Sequence, residues 1–225
     1  NHSWLRETQR NLSTSLTLEN RRNQSSQLGT LTRSRDINTL TAALNGDFAD
    51  HWLQAGNTNG SLQFTLGQLN LDLASDLRSD SRTARTQGDF LRLNLNLNHT
   101  EYLDENWQLS LAFSGQWAGT NLDSSQKFSL GGPYGVRAYP INEGMGDQGW
   151  LINFEIRRNL GYGLQGLLFA DTGGTEVNHS LWKGAGTAPN YYMLSGVGLG
   201  IRWAYSNQWQ ASALVGLPIS GNPSS

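Results

Sequence analysis

The sequence predicts an all-β fold built from antiparallel strands, and three observations support this prediction. Apolar and polar side chains alternate with a period of two along most of the 225 residues, as they do in strands with one apolar and one polar face. No run of about 18 apolar residues occurs, so a transmembrane helix is not predicted. The alternating segments are joined by connections that are in turn long and short, which is typical of outer-membrane β-barrels.

Five strands are predicted before residue 119, each from its own alternation. The clearest covers residues 90–99, where leucine occupies every odd position from 91 to 97 and polar side chains occupy the even positions. The same pattern, less regular, predicts strands at residues 10–20, 37–48, 61–70 and 107–117. The polar stretches at about residues 20–35 and 72–88 are interpreted as connections between strands.

Four more strands are predicted after residue 149, at residues 150–157, 163–171, 192–204 and 209–217. In the third of these, apolar side chains at odd positions alternate with glycines at positions 196, 198 and 200. Glycines inside a strand often mark a close approach by other atoms, so we expect this face to make room for something inside the barrel. Ser206-Asn207 is predicted to form the turn before the last strand.

The nine strands are interpreted as about nine strands of a transmembrane β-barrel. Their length of about ten residues suits a tilted crossing of a bilayer. Several tryptophans lie at strand ends, as in an interfacial aromatic girdle: Trp107, Trp117, Trp150, Trp203 and Trp209. A soluble β-sandwich is the alternative, but sandwiches rarely have such asymmetric connections.

Composition argues against several classes of function. Cysteine is absent, which removes disulfides, thiol catalysis and cysteine-ligated metals. A net charge of −2 gives no nucleic-acid footprint. The four histidines, at positions 2, 51, 99 and 179, have no metal-ligand spacing, and no phosphate-binding loop or nucleophile motif occurs. The sequence therefore predicts no enzyme activity, no cofactor and no metal site.

The irregular segment at residues 119–148 is the candidate functional loop. Its central part is rich in glycine and proline, and long loops of this kind are often functional. Alternation places Glu155 and Asp171 on the polar faces of the next two strands, so a loop folded inward would bring Arg137 to a carboxylate. Arginine can form a bidentate pair with a carboxylate, which defines a position. An exposed loop arginine without a fixed partner is the alternative.

Two motifs resemble those of a known family. Leu130-Gly131-Gly132, followed by Val136-Arg137-Ala138-Tyr139, resembles the conserved loop of the superfamily of BamA and the two-partner secretion transporters. The longer run up to Pro140, with Glu143-Gly144 and the run 146–149, resembles its haemolysin-activator branch, the ShlB/FhaC/HecB type. That family usually has glycine where this chain has Ala138.

A second motif, Phe169-Ala-Asp171-Thr-Gly173, resembles the family's motif on the second strand after the loop. In the family its aspartate pairs with the loop arginine inside the barrel. The resemblance therefore implies that Arg137 pairs with Asp171, with Glu155 as a further partner, while Phe169 and Gly173 support the motif.

The resemblance also implies a fold and a function. Family members have a 16-stranded barrel that follows two periplasmic POTRA domains, with this loop between strands 11 and 12, so residues 1–225 would supply strands 7 to 15. The intact protein would be a TpsB-type translocator in the outer membrane of a Gram-negative bacterium, in contact with its lipid. It would secrete one large TpsA-like exoprotein, such as a haemolysin or adhesin, without nucleotide. A BamA-like assembly factor is disfavoured by the Gly-Pro-Tyr-Gly sequence, and a passive porin by the Val-Arg-aromatic loop.

Overall fold

The computed structural model describes residues 2–205 and 208–220, in which ten strands form one antiparallel sheet. Each strand pairs with the next along the chain, except that β6 pairs with β9 across the long loop. The ten strands are β1 His2–Arg6, β2 Arg10–Gln27, β3 Thr30–Asp50, β4 Ala55–Leu71, β5 Gly88–Tyr102, β6 Trp107–Ala118, β9 Gln148–Gly161, β10 Leu164–Glu176, β11 Tyr191–Tyr205 and β12 Trp209–Pro218. The remaining elements are helix α1 Ala74–Asp80 and, inside the long loop, a 3₁₀ helix Ser124–Gln126 and the paired short strands β7 Phe128–Ser129 and β8 Met145–Gly146.

The two faces of the sheet differ as the alternation predicts. On the face that we call outer, Leu168 and Leu199 are exposed. On the opposite, inner face, Leu167, Phe169 and Asp171 are buried. Successive side chains of a strand point to opposite faces, so local strand geometry is enough to assign each side chain of a period-two pattern to its face. The inner face is the one that the long loop covers.

The polar stretch at about residues 20–35 is not a connection, and that prediction was wrong. β2 and β3 run through it as a hairpin, with Leu28-Gly29 as its turn. Both turn residues have positive φ, 49° and 78°, as in the type I′ turn whose twist suits antiparallel strands. The pattern hides these strands because both of their faces are polar, and Asn20 and Arg22 hydrogen-bond across the hairpin to Asp36.

The count of nine strands was also too low by one. β1, only five residues long, precedes the first predicted strand and pairs with β2. So short a segment gives too few positions for a periodic pattern. The predicted turn at Ser206-Asn207 lies outside the described residues.

The long and short connections lie at opposite ends of the sheet. Residues 72–87, 119–147 and 177–190 connect strands at one end, and residues 51–54, 103–106 and 162–163 connect them at the other. Among the described residues, and apart from the first hairpin, the predicted alternation of long and short connections is confirmed. Within the described chain, no helix is long and apolar enough to cross a membrane.

Buried apolar side chains form two small clusters near the end with the long connections. One joins β3, β4, β5 and β6: Ile37, Leu69, Leu71, Phe90, Ala118 and Leu122. The other fastens the long loop to β9 and β11: Leu130, Val136, Tyr139, Leu151 and Leu194. The second cluster therefore places the candidate loop against the inner face of the wall.

Candidate functional site: a loop anchored to the inner face

The loop 119–147 folds back on itself before it meets the wall. The Gly131 amide donates to Glu143 O at 2.9 Å, and the Val136 amide donates to Leu130 O at 2.7 Å. The side chains of Leu130 and Val136 are completely buried. Backbone hydrogen bonds and apolar burial together give this loop a defined path although it has little regular secondary structure.

Arg137 projects from this loop onto Asp171 of β10. Its Nε lies 2.9 Å from Asp171 Oδ2 and its Nη2 lies 2.8 Å from Asp171 Oδ1, so the guanidinium grips both carboxylate oxygens. The Arg137 main-chain amide also donates to Oδ2, at 3.0 Å. The Asp171 side chain is fully buried and that of Arg137 is only 10% exposed. The structure thus brings together the pair that the resemblance implies, in the bidentate geometry that fixes orientation as well as distance.

Glu155 of β9 and Phe169 of β10 complete the surroundings of this guanidinium. Arg137 Nη1 donates to Glu155, which also accepts from Arg157. The Phe169 ring lies under the guanidinium, 3.8 Å from its carbon, in a cation–π contact. Burial by itself would lower the pKa of Arg137, but hydrogen bonds and charge from Asp171 and Glu155 outweigh it, so its pKa is raised. Arg137 therefore stays a cation at physiological pH.

Three of the predicted glycines make close contacts possible. A Cβ on Gly131 would lie 2.8 Å from the Cβ of Glu143, and Gly132 has a φ of 117°, which favours glycine. A Cβ on Gly173 would lie 2.6 Å from Leu130 Cδ2, so this position leaves the space that the buried leucine fills. Leu130 thus reaches the wall because β10 has no side chain there.

Ala138 fits the loop although the family usually has glycine at this position. Its φ is not positive, so its backbone does not require glycine. Its methyl group faces Gly196 of β11, where an added Cβ would lie 2.6 Å from the Ala138 Cβ. Gly216 of β12 gives the same kind of room, since a Cβ there would lie 3.0 Å from Ala138 Cα. The predicted role of the β11 glycines, to leave room inside the barrel, is confirmed at Gly196.

The loop has a second anchor at Asp147, which the sequence analysis did not select. This side chain is fully buried. Its carboxylate accepts from the amides of Leu122 and His179, at 3.0 and 2.8 Å, and pairs with Lys127 at 3.0 Å. It therefore ties both ends of the long loop to the following connection, 177–190. The only available signal was the position of Asp147 within a stretch that resembles the family.

Asn153 and Tyr139 are further contacts of the anchored loop. The Asn153 amide group donates to Gly135 O and to Asp171 Oδ1, both at 2.8 Å. Asn153 lies two residues before Glu155, so alternation places both on the same face, and this was the signal that could have identified Asn153. The Tyr139 hydroxyl donates to Ser220 O at 2.6 Å, which joins the loop to the residues after β12. The loop is thus held on both sides of Arg137.

Comparison with known proteins places this site in a family. The profile of the haemolysin secretion/activation proteins ShlB/FhaC/HecB matches residues 1–203. The chain belongs to this family. The family is one of secretion transporters, and Arg137 lies within the matched range.

Curated relatives are similar over most of this chain. The heme/hemopexin transporter protein HuxB of Haemophilus influenzae strain 86-028NP is 27% identical over 200 residues, which cover 87% of this chain and 35% of the relative. HuxB of strain Rd is 28% identical over 195 residues, which cover 84% of this chain and 34% of the relative. The chain spans about a third of the length of these relatives.

Among solved structures, CdiB from Escherichia coli shares the fold, with a TM-score of 0.51 and 15% identity. The likeness covers 97% of this chain and 48% of CdiB. The ten-stranded sheet of this family member is therefore a portion of an antiparallel transmembrane β-barrel, and its inner face is the face toward the barrel interior.

Proposed function

We propose that the intact protein is an outer-membrane translocator that secretes a large exoprotein, of the haemolysin or adhesin type, by two-partner secretion without nucleotide. Membership of the ShlB/FhaC/HecB family supports this proposal. The main structural support is the loop that Arg137, Asp171 and Glu155 hold on the inner wall, which links the proposal to particular residues. The residues of this chain would form part of the channel wall and the structure that occupies it.

The same proposal assigns the strands. Six strands of the large sheet precede the loop and four follow it. If the loop joins strands 11 and 12 of a 16-stranded barrel, the described strands are 6 to 15. This differs from the assignment of strands 7 to 15 because β1 is added.

The proposed role of the loop is to occupy the interior in a defined position and to meet the exoprotein there. Tyr134, at the tip, is 94% exposed, whereas Val136 and Arg137 on its flank are held against the wall. An exposed aromatic tip on a fixed stem can contact an extended polypeptide without losing its place. The positioning of the loop, and not a chemical step, is what the anchoring side chains would contribute.

The test compares the full-length protein with its Arg137→Ala variant in a strain that makes the exoprotein. The exoprotein is measured in the medium and in the periplasm, and the folded barrel is measured in the outer membrane by heat-modifiable migration. Arg82→Ala is the matched control, because Arg82 is an exposed arginine of another connection at the same end. We expect secretion to fall at least tenfold in Arg137→Ala with folded barrel retained, and to be unchanged in Arg82→Ala.

Two results would count against the proposal. Secretion that continues after deletion of the whole protein would remove the translocator function itself. Normal secretion in Arg137→Ala would be compatible with a translocator, but it would show that the anchored loop is not needed for transport.

A further inference from the structure

Three side chains able to bind a metal converge at the short-turn end of the sheet. Asp50 ends β3, and His99 and Glu101 lie near the end of β5. One ligand atom from each lies within 4.8 Å of those of the other two. Register explains this convergence, because Gly56 of β4 pairs with Asp50 on one side and with Glu101 on the other. Sequence spacing could not reveal it, since Asp50 and His99 are far apart along the chain.

The cluster is buried and has an excess of negative charge. The side chains of Asp50 and Glu101 are 9% and 2% exposed. Among the described residues, His99 is the ion-pair partner of both, and neither pairs with a lysine or an arginine. Even with His99 protonated, the three side chains sum to one negative charge. Buried carboxylates are costly unless a cation compensates them, so this cluster favours the binding of a cation.

One carboxylate oxygen of the cluster is buried without a hydrogen-bond partner. Asp50 Oδ2 accepts from the Thr58 hydroxyl, but Oδ1 is buried without a hydrogen-bond partner. A Cβ built on Gly56 would lie 2.5 Å from Asp50 Oδ1, 2.9 Å from Glu101 Oε2 and 3.1 Å from His99 Cε1. The three side chains therefore crowd together over this glycine. His99 Nδ1 lies 2.8 Å from the Thr58 hydroxyl oxygen and His99 Nε2 lies 3.1 Å from Glu101 Oε2, so a metal would take the place of the hydrogen bond between His99 and Glu101.

We propose that Asp50, His99 and Glu101 bind a divalent transition-metal ion of the Zn²⁺ type between their side chains, beside Gly56. One imidazole and two carboxylates form a donor set that zinc accepts, whereas Ca²⁺ takes six or more oxygen ligands. Zinc–ligand distances are about 2.0–2.2 Å, which places tetrahedral ligand atoms about 3.4 Å from one another. The three ligand atoms, which lie within 4.8 Å of one another, would draw together to that spacing when the ion binds.

The groups around the cluster already orient its ligands. The amides of Leu53 and Gln54 both donate to Glu101 Oε1, and Oε2 lies 3.1 Å from His99 Nε2, a contact that the metal would replace. The Trp52 ring stacks on His99 with 4.3 Å between centroids and an interplanar angle of 22°. The bound ion would fasten the turn 51–54 to β5.

The site lies on the outer face, at the margin of the apolar band. By alternation, His99 shares its face with Leu97, which is 43% exposed. An excess of negative charge on a lipid-facing surface is unfavourable, and a bound dication would neutralise it. The role inferred for the metal is therefore to stabilise this edge of the barrel and not to take part in transport.

The test measures zinc bound to the folded, full-length protein in detergent after EDTA treatment and reloading with ZnCl₂. Zinc content is determined by elemental analysis for the unaltered protein and for the variants His99→Gln and Glu101→Gln. The control variants are His51→Gln and Glu105→Gln, which change exposed residues of neighbouring turns. The difference in zinc content between a variant and the unaltered protein reports on this site alone, even if the intact chain binds zinc elsewhere.

We expect each cluster variant to lose one equivalent of zinc and each control to lose none. We also expect zinc to raise the temperature at which the unaltered barrel unfolds, with a smaller rise in Glu101→Gln. Equal zinc content in all five proteins would overturn the proposal. If the cluster variants do not fold, the unaltered protein still decides, because an EDTA-treated barrel that takes up no zinc contradicts the site.

Discussion

Arg137 donates three hydrogen bonds to Asp171, two from its guanidinium and one from its own main-chain amide. One carboxylate thus fixes both the side chain and the backbone of the loop residue. Because both partners are buried, removal of either leaves an uncompensated charge, which costs about 3–5 kcal/mol at buried ion pairs. The position of the loop therefore depends on this contact more than on any exposed ion pair of the chain.

The first prediction is that Arg137→Ala and Asp171→Ala are strongly coupled. Arg137→Ala leaves Asp171 buried without a cation, and Asp171→Ala leaves Arg137 to share Glu155 with Arg157. The double variant leaves Glu155 with Arg157 as its remaining cation. We expect the double variant to be less destabilised than the sum of the singles by more than about 1 kcal/mol. Urea unfolding of the full-length barrel measures the three free energies. Independent, additive effects would show that the two side chains are not coupled.

The second prediction is that lysine cannot replace Arg137. Lysine keeps the charge, but its compact ammonium cannot grip both oxygens of Asp171, reach Glu155 and stack on Phe169 at once. We expect amide hydrogen exchange across residues 128–140 to be at least tenfold faster in Arg137→Lys than in the unaltered protein. Arg82→Lys is the control and should leave that exchange unchanged. Protection retained in Arg137→Lys would mean that charge alone holds the loop.

The third prediction concerns the fit between Ala138 and Gly196. A methyl group on Gly196 would lie 2.6 Å from the Ala138 Cβ, so Gly196→Ala should displace the loop and destabilise the barrel by about 1–3 kcal/mol. Ala138→Gly should restore most of the loss in the double variant, because it removes one of the two methyl groups. Stability of the four proteins in urea measures this. A double variant no better than Gly196→Ala would locate the clash elsewhere, for example at Leu217 O, 3.3 Å from the added methyl.

The fourth prediction tests the anchor at Asp147. Asp147→Asn removes the charge that compensates Lys127 and replaces one acceptor oxygen with a donor, although the amides of Leu122 and His179 both need acceptors. We expect faster hydrogen exchange in both 119–127 and 177–190, with little change in β9 and β10. Glu143→Gln is the matched control, since the Glu143 carboxylate makes no ion pair among the described residues. Equal hydrogen exchange in Asp147→Asn and Glu143→Gln would show that Asp147 does not bridge the two connections.

Alternation made the wall of this protein predictable from its sequence. Glu155, Phe169 and Asp171 are on the inner face, and Leu168 and Leu199 on the outer face, because side-chain direction along a strand depends only on position parity. The same logic failed between residues 20 and 35, where both faces of the hairpin are polar and no period exists to be read. It also failed at β1, which is too short to show one.

The alternating strands and the face of each of their side chains follow from the amino-acid sequence, and the resemblance of two motifs implies both the family and the Arg137–Asp171 pair. Three contacts become visible only in the folded chain: Asp147 joins two connections, Gly196 receives the methyl of Ala138, and Asp50 lies beside His99 and Glu101. A strand's pattern follows from bonds within a few residues. Contacts between distant residues depend on strand register and on the path of a loop, and those are set by the packing of the whole sheet.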